Sequence, residues 1–248
     1  LAQRLRLPGR QVEAALMLAA DSLESGDRPQ FDRMLGIMRW VSERDGWRHV
    51  YLAPRAGGAP KLMTPVNADI EGLAGFDPDG KWVYYTASPE NATQSYLYRS
   101  DMPGRLTPAS QPGSHSYNIS PDGKWAFHTY STFDRAPSIE LISLPDHKTV
   151  RSLEDNAELQ KNLTPMLASK AEFLQVKLGD GTVLDGFLIR PPDFDASKKY
   201  PLIVHVYGEP ASTTVVDRWG ARNEIFHRAL AAEGYLVASF DNRGTPAP

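Results

Sequence analysis

Tyr207 is the side chain in this 248-residue sequence whose type and position best suit a direct part in chemistry. It follows Leu202-Ile203-Val204-His205-Val206, a nearly continuous apolar run of strand length, and Gly208 and Pro210 then force the chain out of the strand. A run of that kind predicts a strand buried on both faces. In an open α/β sheet, ligands gather just beyond the carboxyl ends of the strands. A tyrosine placed there can be a hydrogen-bond donor in an active site. It can equally be an ordinary strand-end tyrosine, and this stretch leaves both readings open.

The remaining reactive types narrow the chemistry. There is no cysteine, which excludes disulfides, thiolate metal sites and a cysteine nucleophile. His49, His115, His128, His147, His205 and His227 are scattered, with no His-x-x-x-His or His-Glu-x-x-His spacing. Each reads as a surface or hydrogen-bonded histidine, and His205 as a packed strand residue. No metal or cofactor is expected. Asp241 and Arg243 leave the end of a second apolar run, Tyr235 to Phe240. There they can touch a ligand, or form an ion pair that pins the loop. Ser239 falls inside that strand, which does not suit a nucleophile, and the sequence holds no Gly-x-Ser-x-Gly.

Composition sets outer bounds. Hydrophobic residues make up 41% and charged residues 23%, a globular balance. The net charge of −3 gives no basic excess for nucleic acid. No apolar run approaches the ~20 residues of a membrane helix. The chain starts at Leu1 and stops at Pro248 just past a strand, which reads as an internal piece of a longer protein.

Two kinds of element must position these residues. Val12, Ala15, Leu16, Ala19 and Leu23 recur at helical spacing within residues 1–36, which read as a helical segment with no further assignment. From Ile37 the pattern changes to short strands and turns. Asp77-Pro78-Asp79-Gly80-Lys81-Trp82 returns as Ser120-Pro121-Asp122-Gly123-Lys124-Trp125, 43 positions later. Val50-Tyr51-Leu52, Tyr96-Leu97-Tyr98 and Ile139-Glu140-Leu141 keep the same rhythm. A period in the forties with about four strands per unit predicts β-propeller blades. Residues 37–165 are therefore read as a partial propeller of two to three blades, with Trp40, Trp47, Trp82 and Trp125 packing between them and 145–170 as a polar link. A hairpin over 172–189, then strand, helix (221–233) and strand, predicts an α/β domain over 166–248.

Three segments carry a family resemblance. Trp40-Val41-Ser42-Glu43-Arg44-Asp45-Gly46-Trp47-Arg48-His49-Val50-Tyr51, Tyr200-Pro201 through Val206-Tyr207-Gly208-Glu209-Pro210, and Gly234-Tyr235 through Asp241-Asn242-Arg243-Gly244-Thr245 stand in the order found in the prolyl oligopeptidase family of serine peptidases. The sequence resembles the dipeptidyl peptidase IV branch most. The resemblance runs from about residue 37 to the end. It implies the last part of a β-propeller followed by the first part of an α/β-hydrolase domain, with a peptide substrate between them. It implies release of N-terminal dipeptides, often after proline, by acyl transfer to a serine.

Tyr207 matches the family's oxyanion-hole tyrosine, and Gly208 is expected to allow close backbone approach. Glu209 departs from the glycine usual at that position. The nucleophilic serine and its Asp and His are expected beyond residue 248, so this chain alone is expected to be inactive. The glutamates that hold a substrate's amino terminus find no match, Glu13 and Glu24 lacking their context. An acylaminoacyl peptidase or oligopeptidase of the same superfamily is the nearest alternative, and a non-catalytic propeller interaction protein the next. The resemblance leaves a homodimer of the full-length protein open. It also leaves the compartment unassigned, with periplasmic or secreted ahead of cytoplasmic.

Overall fold

The computed structural model describes residues 37–54, 59–77, 80–208, 212–220 and 223–245. The expected helix in 1–36, and Glu209, lie outside them. Among the described residues the chain forms four small sheets. The first is β1 (Ile37–Ser42), β2 (His49–Pro54) and β3 (Lys61–Leu62). The second is β4 (Ile70–Phe76), β5 (Val83–Ala87) and β6 (Tyr96–Arg99). The third is β7 (Ser114–Ile119), β8 (Trp125–Thr132), β9 (Arg135–Ser143) and β10 (Lys148–Glu154). Each is an antiparallel meander with neighbours paired in chain order.

The described ends of the repeated hexapeptide make the same backbone hydrogen bonds in both copies. The Gly80 N–H donates to Asp77 O at 2.9 Å and the Gly123 N–H to Ser120 O at 2.8 Å. Asp77 N–H then meets Trp82 O, as Ser120 N–H meets Trp125 O. Both glycines take positive φ, 75° and 67°, which L side chains adopt only under strain.

Alternation along the strands builds two cores from one sheet. On β5, Val83 and Tyr85 face the first sheet and pack with Val50, Leu52, Ile70 and Tyr98. Tyr84 between them faces the third sheet and packs with Ala126, Ile142 and Leu144. The Tyr84 hydroxyl donates to Gly123 O at 3.1 Å, and Trp82 lies over the same glycine. Trp82 thus packs between sheets as expected. Trp125, its counterpart, does not: it is 44% exposed, because no described element covers its face of the third sheet.

The expected polar link begins later than 145. Residues 148–154 form β10, the outer strand of the third sheet, exposed along its whole length. Its polar sequence reflects an edge with a neighbour on one side, where charge discourages further pairing. Helix α1 (Ala157–Leu163) and a 3-10 turn (Met166–Ala168) lead on to the fourth sheet.

The fourth sheet has the order β11-β12-β14-β13. β11 (Ala171–Lys177) and β12 (Val183–Ile189) form the expected hairpin. β13 (Leu202–His205) runs parallel to β14 (Leu236–Phe240), joined through helix α2 (Glu224–Ala232). Phe187, Ile189, Val237 and Ala231 form its core with Val215 and with Phe133 from the third sheet.

β13 departs from the expectation of a strand buried on both faces. It sits at the sheet edge, and Leu202 and Val204 are 56% and 48% exposed while Ile203 packs inward. Its apolar run serves one buried face, and no described element covers the other.

Candidate functional site

Tyr207 follows the carboxyl end of β13, beside the end of β14. It lines a cavity of about 350 Å³ with Leu184, Ser212, Thr214, Asp241 and Asn242. Asp241 and Asn242 leave β14, so the cavity lies where two adjacent parallel strands end, the position expected of ligand sites in such sheets. Gly208 has φ of 83°, and no atom lies within 4 Å of where its Cβ would be. The positive φ of the turn favours glycine there, and the space beside it is open.

The loops around the cavity are tied down. The Asp241 carboxylate accepts from Thr214 N–H (2.6 Å), Thr214 Oγ1 (2.9 Å) and Val215 N–H (3.1 Å). Arg243 pairs with Asp180 in the β11–β12 turn. Both residues pin loops, as one of the two readings had it, but to other partners and not to each other. Ser239 is fully buried. Its hydroxyl donates to His205 O at 2.8 Å and lies 2.8 Å from Thr214 Oγ1. It is a staple between β14, β13 and the 212–216 segment, in keeping with its exclusion as a nucleophile.

The same segment fixes the fourth sheet to the second and third. Asp217 accepts from the Gln94 amide (2.9 Å) and the Phe133 N–H (2.8 Å), and its own N–H donates to Thr93 O (2.6 Å). On α2, buried Arg228 pairs with Glu224 and with Asp134 of the β8–β9 turn, and donates to Ser169 O at 2.6 Å. Glu224 is buried enough that desolvation holds its carboxyl above the ordinary value even beside Arg228. The i,i+4 spacing of Glu224 and Arg228 on a helix was visible in the sequence. The reach of Asp217 and Arg228 to sheets about a hundred residues earlier was not.

The histidines are less scattered in space than in sequence. His115 Nδ1 lies 2.8 Å from His128 Nε2, and their rings stack at 5.1 Å. His147 meets His128 edge-on at 4.8 Å and bonds the Tyr117 hydroxyl at 2.9 Å. Tyr117 stacks on His128 and Tyr130 on His115. Burial pushes His115 down to about 4 and His128 to about 3. His49 is satisfied on both nitrogens, by Asp45 at 2.8 Å and Val66 O at 2.7 Å. His205 packs against His227 of α2, as expected of a strand residue.

With this geometry in place, comparison with known proteins is informative. The family described as the dipeptidyl peptidase IV (DPP IV) N-terminal region matches residues 23–137. A "Probable dipeptidyl-aminopeptidase B" of Emericella nidulans is 34% identical over 213 residues, 81% of this chain and 23% of the relative. A "Probable dipeptidyl peptidase 4" of Aspergillus flavus is 28% identical over 211 residues, 83% of this chain and 27% of the relative. The crystal structure of Porphyromonas gingivalis dipeptidyl peptidase 4 superposes with a TM-score of 0.76 at 28% identity, covering 88% of this chain and 31% of that one. The chain belongs to the dipeptidyl peptidase IV-like family. It spans about a quarter of the length of the curated relatives it matches.

Proposed function

We propose that this chain is the junction of a serine exopeptidase that releases N-terminal dipeptides. In this reading residues 37–165 are the last blades of a β-propeller, and residues 166–248 begin an α/β-hydrolase domain. Peptide substrate lies between them. Tyr207 donates its phenol O–H to the oxyanion of the tetrahedral intermediate, and the serine, aspartate and histidine of the triad lie beyond residue 248. The names of the relatives favour dipeptide release over the acylaminoacyl and oligopeptidase alternatives.

The observation that carries this reading is the place of Tyr207, in a cavity at the carboxyl ends of two adjacent parallel strands. A hydrogen-bond donor helps there only if it is fixed before charge develops. The clamps at Asp241 and Ser239 hold the surrounding loops in that way. The test is Tyr207→Phe in the full-length enzyme. Loss of one oxyanion donor should lower kcat by ~10²-fold or more with little change in KM. Near-normal turnover would remove Tyr207 from the mechanism.

A further inference from the structure

A second cavity, of about 430 Å³, opens where the first three sheets meet the 212–219 segment. That volume falls in the range of small-molecule sites, roughly 300–1,000 Å³. Thr213 lines it, whereas the neighbouring Ser212 and Thr214 line the Tyr207 cavity, so this segment divides the two.

The wall of the second cavity carries both signs of charge. Glu71 on β4 is half-buried, and its carboxylate accepts from the Ser95 hydroxyl, with the Ser88 hydroxyl also close enough to favour the charged form. Burial raises its carboxyl above the ordinary value, and it forms no ion pair among the described residues. Arg48 and Arg218 lie on the same wall with exposed side chains. Neither forms an ion pair among the described residues. The other wall carboxylate, Asp69, is engaged by the Arg48 N–H at 2.6 Å. Trp219 adds a flat apolar surface. A carboxylate with no ion pair among the described residues, lining the same cavity as two guanidinium groups that also have none there, suits a ligand with opposite charges at its two ends. A half-buried carboxylate without a cation is costly, and an incoming ammonium would relieve that cost.

We propose that this cavity binds short zwitterionic peptides, with the ammonium at Glu71 and the carboxylate at Arg48 and Arg218. The ligand class rests on the peptidase reading above: a released dipeptide has this charge pattern, and the cavity would hold it apart from the Tyr207 site.

The test is calorimetric titration of the 248-residue chain at low salt with glycyl-proline, N-acetyl-glycyl-proline and glycyl-prolinamide. Glycyl-proline should bind, and each singly blocked peptide should bind ~10-fold or more weakly, as expected from losing one charge-assisted contact. Glu71→Gln should weaken glycyl-proline and leave the acetylated peptide unchanged. Arg218→Gln should weaken glycyl-proline and leave the amide unchanged. Equal binding of all three peptides, or no saturable binding of glycyl-proline at millimolar concentration, would overturn the proposal. The peptide series uses the unaltered chain, so it does not depend on a variant folding. It measures binding without turnover, so a negative result leaves the peptidase reading to stand or fall on Tyr207→Phe.

Discussion

One carboxylate oxygen of Asp217 lies 2.9 Å from the side-chain amide nitrogen of Gln94, across 123 positions of sequence. The other oxygen takes the Phe133 N–H. A single side chain therefore ties the fourth sheet to the second and the third. Hydrogen bonds to a charged group contribute about 1.5–3 kcal/mol each. Asp217→Ala should destabilise the chain by about 3 kcal/mol in urea unfolding, and Asp217→Asn, which keeps one acceptor, by about half as much. A change below about 0.5 kcal/mol for alanine would show that the sheets are held together elsewhere.

Gly123 should tolerate no side chain. Its φ is 67°, and a Cβ there would lie 2.5 Å from Trp82 Cη2. Gly123→Ala combines left-handed strain with overpacking and should cost about 2–4 kcal/mol. Gly46 also has positive φ, 95°, but open space around it. Gly46→Ala should cost only the strain, roughly 1 kcal/mol. Equal thermal shifts for the two variants would rule out the packing contribution.

The stacked histidines should make the fold acid-sensitive. His115 and His128 are held neutral by burial, at about 4 and about 3 against an ordinary 6.5. Between those values the unfolded chain binds more protons than the folded one. Their contribution is complete above pH 6.5 and is lost as pH falls towards 4 and below. Glu140 Oε2, 3.8 Å from His128 Nδ1, offsets only part of a charge placed there. Each such group steepens the loss by at most about 1.4 kcal/mol per pH unit. Replacing His128 with Gln should flatten the profile between pH 6.5 and 4, and an unchanged slope would move the acid sensitivity to other groups.

The isolated chain should be chemically silent. It contains no Gly-x-Ser-x-Gly, and Ser239 is buried with its hydroxyl occupied by His205 O and Thr214. Purified, it should leave glycyl-prolyl anilide intact and resist a fluorophosphonate probe. Stoichiometric labelling of any serine would contradict the expectation that the nucleophile lies beyond residue 248.

Much of the architecture could be read in the sequence, because turn chemistry and alternation are local. Pro-Asp-Gly-Lys specifies its turn wherever it occurs, and Val83-Tyr84-Tyr85 already alternates between two faces. What could not be read depends on neighbours. The spacings of 13 and 19 between His115, His128 and His147 carry no periodic signal. They converge because β7 and β8 pair with Tyr130 opposite His115 and His128 opposite Tyr117. Leu202-Ile203-Val204 looks the same in the middle of a sheet and at its edge, and only the strand order shows that β13 lies at an edge. Tyr207 was marked by its position after a strand. Glu71, Arg48 and Arg218 were not marked, because each belongs to a different segment and no motif joins them.

Trp82 and Trp125 end two copies of nearly the same hexapeptide, yet their settings differ. Trp82 is sandwiched over Gly123, while Trp125 is 44% exposed with Phe127 beside it at 53%. In this chain the two copies therefore carry unequal mutational load. A library randomised at 82 should return few folded members, and those aromatic. The same library at 125 should return many, polar residues included, so an internal repeat that looks symmetric in sequence should have one constrained copy and one permissive copy.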